Sequence, residues 1–170
     1  MDFQNQFTKT TTDANLMETV QHGSTSYPFR YYYENIALFD FNCIDWHWHS
    51  ELEFIYIESG NVIFDIGAVH FELNEGNGIM INSKILHRLR SSSDAIIPNF
   101  LFQPSFIAPQ DSLIYKKYIS PVISSSLEYL VFQSDIPWHK KALEIIKTII
   151  AVQETEFNRE IIVSMSVQQL

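Results

Sequence analysis

His47 and His49 stand two residues apart in the stretch Asp45-Trp46-His47-Trp48-His49-Ser50-Glu51-Leu52-Glu53. Side chains two apart on a strand project to the same face. Glu51 and Glu53 share that parity, as do Ile55 and Ile57. Trp46, Trp48, Leu52, Phe54 and Tyr56 take the other face. One face therefore begins with two imidazoles and two carboxylates and then turns apolar. Imidazole and carboxylate are divalent-metal ligands, and they also hydrogen-bond polar small molecules. A solvent-facing strand seldom needs that mix, and a dry core cannot hold it unsatisfied. The lumen of a small barrel with a wet mouth can. A further histidine, His87, closes the stretch Gly76-Asn77-Gly78-Ile79-Met80-Ile81-Asn82-Ser83-Lys84-Ile85-Leu86-His87. No nucleophile–base pairing and no Gly-rich phosphate loop is evident.

The elements around these residues read as short strands. Runs at Phe29–Tyr33, Ile36–Phe41, Trp46–Ile57, Asn61–Asp65, Val69–Leu73, Gly78–Ile81, His87–Leu89 and Asn99–Phe106 alternate with turn signals such as Glu58-Ser59-Gly60 and Asn74-Glu75-Gly76. That spacing predicts a sandwich or barrel. After Pro109 the pattern becomes helical. A first helix is expected over Asp111–Ile123, bent near Pro121. Gln133–Trp138 reads as a link, with Asp135 as cap and Pro137 in the first turn of the next helix. From Trp138 to about Thr155 the residues Leu143, Ile146, Ile149 and Ile150 recur at helical spacing. A last helix is expected from a cap at Asn158 through Ile161, Ile162 and Met165 to Leu170, where the chain stops in mid-pattern. The barrel can cover one apolar helix face. A second copy of the same helices can cover the other as an isologous seam, or the helices pack only within the chain.

Residues 1–26 are polar and read as a flexible arm with one short helical turn around Asn15–Val20. Residues 27–108 form the barrel and 109–170 the helical region. The 170 residues carry 11 Lys and Arg against 20 Asp and Glu, a formal charge of −9. Such a surface repels phosphate backbones, so this chain by itself is a poor nucleic-acid binder. Cys43 is the single cysteine. That suits a reducing cytosol, and with no signal peptide or membrane-length apolar run the chain is expected to be cytoplasmic.

The spacing of His47, His49, Glu53 and Gly60 resembles the first cupin motif, and Gly76 through His87 resembles the second. The second departs from the usual pattern. Asn77 stands where an aspartate follows the glycine, and Asn82, Ser83 and Lys84 replace the proline and glycine of the turn, which predicts a turn built differently. Within cupins the chain resembles the N-terminal domain of AraC-type transcription regulators. WHWHSELEFIYIESGNVIFDIG resembles that family's opening hairpin, and IIPNFLFQPSFI its closing strand. The tail from Tyr118 to Leu170 resembles the paired helices that mediate dimerisation.

The resemblance implies a mainly β fold, a cupin-type (double-stranded β-helix or jelly-roll) barrel followed by C-terminal antiparallel helices. It implies a domain that binds a small-molecule effector, often a sugar, and controls a helix-turn-helix DNA-binding domain that this chain lacks. It implies no catalysis, a homodimer, and DNA contact only through the missing domain. His47, His49, Glu53 and His87 could hold zinc, nickel, iron or manganese, or could form a metal-free network that hydrogen-bonds the strands and the effector. Arg30 is a further ligand-binding candidate, able to pair with a carboxylate or hydroxyl-rich effector. Trp46 and Trp48 are expected in the core between barrel and helices. One tyrosine of Tyr31-Tyr32-Tyr33 is expected to face the lumen. A free-standing metal-dependent cupin enzyme, of dioxygenase or sugar isomerase type, is the alternative.

Overall fold

The computed structural model describes residues 8–155 and 157–170. Nine strands among them form two sheets: β1 (Phe29–Asn35), β2 (Cys43–His47), β3 (Leu52–Tyr56), β4 (Asn61–Ile66), β5 (Val69–Asn74), β6 (Gly78–Ile81), β7 (His87–Arg90), β8 (Ile96–Phe102) and β9 (Tyr129–Phe132). A five-stranded sheet has the order β1-β8-β3-β6-β9, and a four-stranded sheet the order β2-β7-β4-β5. Every named pairing is antiparallel. The chain passes repeatedly from one sheet to the other, which makes the mainly β, cupin-type jelly-roll barrel that the motifs implied.

Two apolar layers hold this arrangement. Between the sheets lie Ile55, Ile57, Phe64, Ile66, Ile79, Ile81, Leu89 and Ile97, all essentially inaccessible. On the outer side of the five-stranded sheet, Phe54, Phe100 and Phe102 meet Leu143, Ile146 and Ile149 of α2 (Pro137–Val152). The rings stack across strands, with Phe54 centred 5.4 Å from Phe100 and Phe29 5.7 Å from Phe100. Strands β3 and β6 are thus covered on both faces. That is why their sequences are almost continuously apolar and why Glu53 stands out among them. Burying one such side chain contributes roughly 1.5–3 kcal/mol, so α2 is an integral wall of the domain. The helix α3 (Arg159–Val167) packs on α2 through Val163 and Val167.

The structure departs from the sequence pattern in several places. Ile36–Phe41 is not a strand. It forms two 3-10 turns, Ile36–Leu38 and Asp40–Asn42, the first capped by the Asn35 side chain. Phe41 and Asn42 take positive φ there as the chain leaves one sheet for the other. The run Trp46–Ile57 is two strands broken at residues 48–51. Strand β9, placed outside the barrel by the sequence reading, pairs with β6 and completes the five-stranded sheet. Its signal is Tyr129-Leu130-Val131-Phe132, a β-prone run between serines and Gln133. A π-helical turn, Tyr115–Ile119, precedes α1 (Ser120–Ile123), directly before Pro121, which has no N–H to offer. Asp135 does not cap α2: the helix starts one residue later, with Ile136 at the cap position. Asn158 does begin α3, through a left-handed backbone (φ 62°) and not a side-chain bond, and the helix ends at Val167.

Residues 8–26 lie against the barrel without a helical turn at 15–20. Thr12 bridges Glu18, and Met17 bridges Trp48. The backbone N–H of Trp48 donates to Leu16 O, and that of Glu18 to Trp48 O. The part of the expected arm at residues 1–7 lies outside the described residues.

A candidate metal and ligand site inside the barrel

The two sheets bring the expected residues together by different routes. His47 ends β2 in one sheet, His49 lies in the crossing segment, and Glu53 sits on β3 in the other sheet. His87 opens β7 and is paired in register with His47. The single-strand parity argument therefore reached the right cluster by way of a strand that is actually broken. All four side chains are buried, and one ligand atom from each lies within 4.8 Å of the others. The His47 and His87 rings are centred 4.2 Å apart.

Backbone carbonyls fix how these rings face. His47 Nδ1 donates to Asp45 O at 2.8 Å, His87 Nδ1 to Ile85 O at 2.8 Å, and His49 Nδ1 to Glu51 O at 3.3 Å. A carbonyl only accepts, so the proton is on Nδ1 in each ring. The three Nε2 atoms are left to face the Glu53 carboxylate. His49 Nε2 lies 3.3 Å from Glu53 Oε2 and His87 Nε2 lies 3.2 Å from it. The His87 contact lacks hydrogen-bond alignment, so this buried nitrogen has no hydrogen-bond partner among the described residues.

Electrostatics sharpen the point. Burial alone would raise the Glu53 carboxyl, but His49 and His87 override it and hold it well below the usual carboxylate range. A buried carboxylate is stable there only with positive charge facing it. Either an Nε2 carries a proton or a cation sits among the four groups. Burial, and then the charge of His87, push His47 down to about 3. Three imidazoles and one carboxylate with ligand atoms within 4.8 Å of one another, His87 Nε2 among them without a hydrogen-bond partner, fit a divalent cation. The backbone bonds at Nδ1 are the second-shell contacts that histidine ligands usually make.

The turn before His87 keeps its shape without glycine or proline. Lys84 takes φ 64°, a left-handed conformation that normally favours glycine. Its N–H donates to His49 O at 2.7 Å, and Ser83 Oγ donates to Ser50 O. Asn82 Nδ2 reaches Val122 O and Leu127 O. The unusual residues therefore tie the two histidine segments to each other and to the chain entering β9. Gly60, at the motif's far end, has φ 81°, and a Cβ there would lie 2.4 Å from Asp94 O.

Beside the cluster lies a cavity of about 50 Å³, which His47 and Glu53 line. Lys9, Thr10, Thr11, Glu18, Val20 and His22 of the N-terminal segment form part of its wall. His22 bonds Glu18 Oε2 through Nε2 and the Tyr32 hydroxyl through Nδ1, both at 2.9 Å. Burial would lower the His22 pKa, but the Glu18 bond raises it. Burial would raise Glu18, but His22 lowers it. Tyr32 is the tyrosine that faces the lumen. Arg30 is not on the cavity wall. It is exposed at the start of β1, its guanidinium 5.5 Å from the Tyr32 ring centre. Trp46 and Trp48 are not between barrel and helices either. Arg88 covers Trp46 at 4.8 Å, and Trp48 Nε1 donates to Asn15 O in the N-terminal segment. The four-stranded sheet leaves that face open, and the helices cover the other sheet.

Sequence reasoning missed Glu18, His22, Glu34 and Asn99. The Glu18–His22 spacing is hidden in a polar stretch. Asn99, a lone amide in the apolar run IIPNFLF, was the visible signal.

The barrel and its three-histidine, one-glutamate cluster define a cupin-type domain. Residues 39–108 match the family model of the AraC-like ligand binding domain. The chain is 31% identical over 140 residues to the uncharacterized HTH-type transcriptional regulator YdeC of Bacillus subtilis (strain 168). The match covers 81% of this chain and 47% of YdeC, so the chain spans about half the length of that curated relative. Among solved structures it is similar in fold to apo ToxT K231A from Vibrio cholerae strain SCE256, with TM-score 0.54 and 9% identity over 87% of this chain and 55% of that one. No helix among the described residues is long and apolar enough to cross a membrane.

The depressed His47 pKa has a measurable consequence. The unfolded imidazole takes a proton below about 6.5, whereas the folded one resists down to about 3. The unfolded state therefore binds more protons in that window, and stability falls as pH drops through it. Urea denaturation of metal-free protein is expected to give a shallower loss between pH 6.5 and 4 for His47→Asn, which keeps a donor for Asp45 O. An unchanged slope would contradict the assignment.

Proposed function

We propose that this chain is the effector-sensing and dimerisation part of a cytoplasmic AraC-type transcription regulator. It binds a small molecule in the barrel, and DNA contact falls to a helix-turn-helix domain carried elsewhere in the full-length protein. The observation that carries this reading is the cavity beside the histidine cluster, walled in part by the N-terminal segment through Glu18 and His22. An effector that fits better with that segment in one position than another shifts the population between them. The name of the Bacillus subtilis relative supports a regulator, and the acidic charge of this chain supports leaving DNA to another domain.

His47, His49, Glu53 and His87 would hold a divalent metal, which when bound supplies a Lewis acid at the cavity wall. The chain's own residues orient the imidazoles through Nδ1 and exclude bulk water by burial. The same cluster favours a metal-dependent cupin enzyme as the second reading. The N-terminal segment in the cavity wall favours sensing. For the dimer, Ile161 and Met165 support a seam: they are 61% and 59% exposed and lie four residues apart on α3, and Phe157, 81% exposed, stands just before that helix.

Three outcomes are expected. Zinc or nickel raises the melting temperature, and His87→Ala abolishes the shift; an equal shift in the variant argues against this site. In a thermal-shift screen of small metabolites, deletion of residues 1–25 weakens whichever compound stabilises the chain by about tenfold or more. Unchanged affinity, or turnover of the compound, would sink the sensing role. Ile161→Glu with Met165→Glu converts a dimer to a folded monomer in sedimentation velocity; a dimer that persists places the seam elsewhere.

A further inference from the structure

Three carboxyl groups from three separate elements reach the cavity: Glu18 from the N-terminal segment, Glu34 from β1 and Glu53 from β3. Two of them have matched partners. Glu18 bonds His22, and Glu53 faces the histidine cluster. Among the described residues, Glu34 has neither a histidine nor a cation bonded to it. Its Oε2 accepts one bond, from Asn99 Nδ2 at 2.9 Å, and Asn99 Nδ2 also reaches Ile97 O. Lys9 is the one ammonium group on the wall among the described residues, and it is exposed at the rim. The wall also carries apolar side chains, Ile44, Leu89, Ile97 and Leu101, with Ile97 the register partner of Glu34 on β8.

Such a wall discriminates between effector classes. A carboxylate or phosphate would be buried against three carboxyls, with only Lys9 and the already paired His22 in compensation. A sugar carries hydroxyls on every side; Thr10, Thr11 and Tyr32 could meet some of them, but Ile44, Leu89, Ile97 and Leu101 have no group to do so. Cavities that take drug-sized molecules run from about 300 to 1,000 Å³, far above the about 50 Å³ present with the N-terminal segment in place. What matches is a small group able to donate to a buried carboxyl, attached to a short hydrocarbon.

We propose that the cavity takes a small primary amine, its ammonium group on Glu34 and its hydrocarbon part against Ile44, Leu89, Ile97 and Leu101. The inference rests on the reading of the barrel as an effector-binding domain and names the effector's class. The electrostatics of the site agree. Burial, with the nearby Glu53 and Glu18 charges, pushes Glu34 up to about 8 against the Asn99 bond. An ammonium ion brings the missing positive charge, and a charge-assisted bond is the stronger kind.

The test is calorimetric titration of chelator-treated protein with four probes: n-butylamine, 1,4-diaminobutane, n-butanol and succinate, with L-arabinose as a polyol control. The amines are expected to bind at least about tenfold more tightly than n-butanol, which matches n-butylamine in size without its charge. Glu34→Gln keeps an oxygen to accept from Asn99 and removes the carboxyl. It is expected to weaken amine binding by at least about tenfold without lowering the ligand-free melting temperature, because it removes a carboxyl whose ionised form burial disfavours. Equal binding of butanol and butylamine, or amine binding unchanged in Glu34→Gln, would overturn the proposal. Binding of arabinose or succinate without the amines overturns the amine class and leaves the sensing role standing. If no probe of any class binds, both fall.

Discussion

An ionised carboxylate in the lumen of a small barrel cannot stand alone, and much of this architecture follows from what stands around Glu53. Three imidazoles surround it, each turned by a backbone carbonyl so that Nε2 points inward. Those carbonyls belong to Asp45, Glu51 and Ile85, which lie at or beside two of the places where the chain changes sheets, β2 to β3 and β6 to β7. The orientation of the cluster is therefore set by the crossings themselves. The crossings are fixed in turn by Lys84 N–H on His49 O and Ser83 Oγ on Ser50 O. Chemistry and topology are held by the same few hydrogen bonds.

The five-stranded sheet gives this cluster a rigid floor. Its inner face carries isoleucines and Glu53, and its outer face carries a row of stacked phenylalanines beneath α2. A side chain on β3 can hardly turn without disturbing one layer or the other, because close-packed interiors transmit such changes. The N-terminal part of the cavity wall is built in the opposite way. Residues 8–22 hold on through a small number of polar contacts, of which the buried Glu18–His22–Tyr32 chain is the most enclosed. A stiff cluster thus lies beside a segment held by polar bonds.

Much of this was legible in the residues. The two-residue period placed His47, His49 and Glu53 on one face, and the resemblance of Gly76–His87 to a second motif brought His87 to them. The helical period of α2 was equally plain. What was not legible depended on contacts far apart in sequence. Trp48 looks like a core residue until residues 15–18 are seen to occupy its face. Tyr129–Phe132 is a strand only because β6 offers it an edge. The break at residues 48–51 is invisible in a pattern where both halves keep the same inward parity. Glu18 and His22 sit in a stretch whose composition says only that it is polar.

Strand β9 has a wider consequence. The stretch that matches the family model, residues 39–108, contains β3, β6 and β8 but neither β1 nor β9. Cut to that length, the five-stranded sheet would keep its three central strands and lose both of its flanks. The N–H and C=O groups along β6 and β8 would face water as open edges, and the phenylalanine row would lose its helical roof. Unpaired edges beside bare aromatic surface are templates for association between chains. The evolutionary unit and the physical unit are thus different objects here.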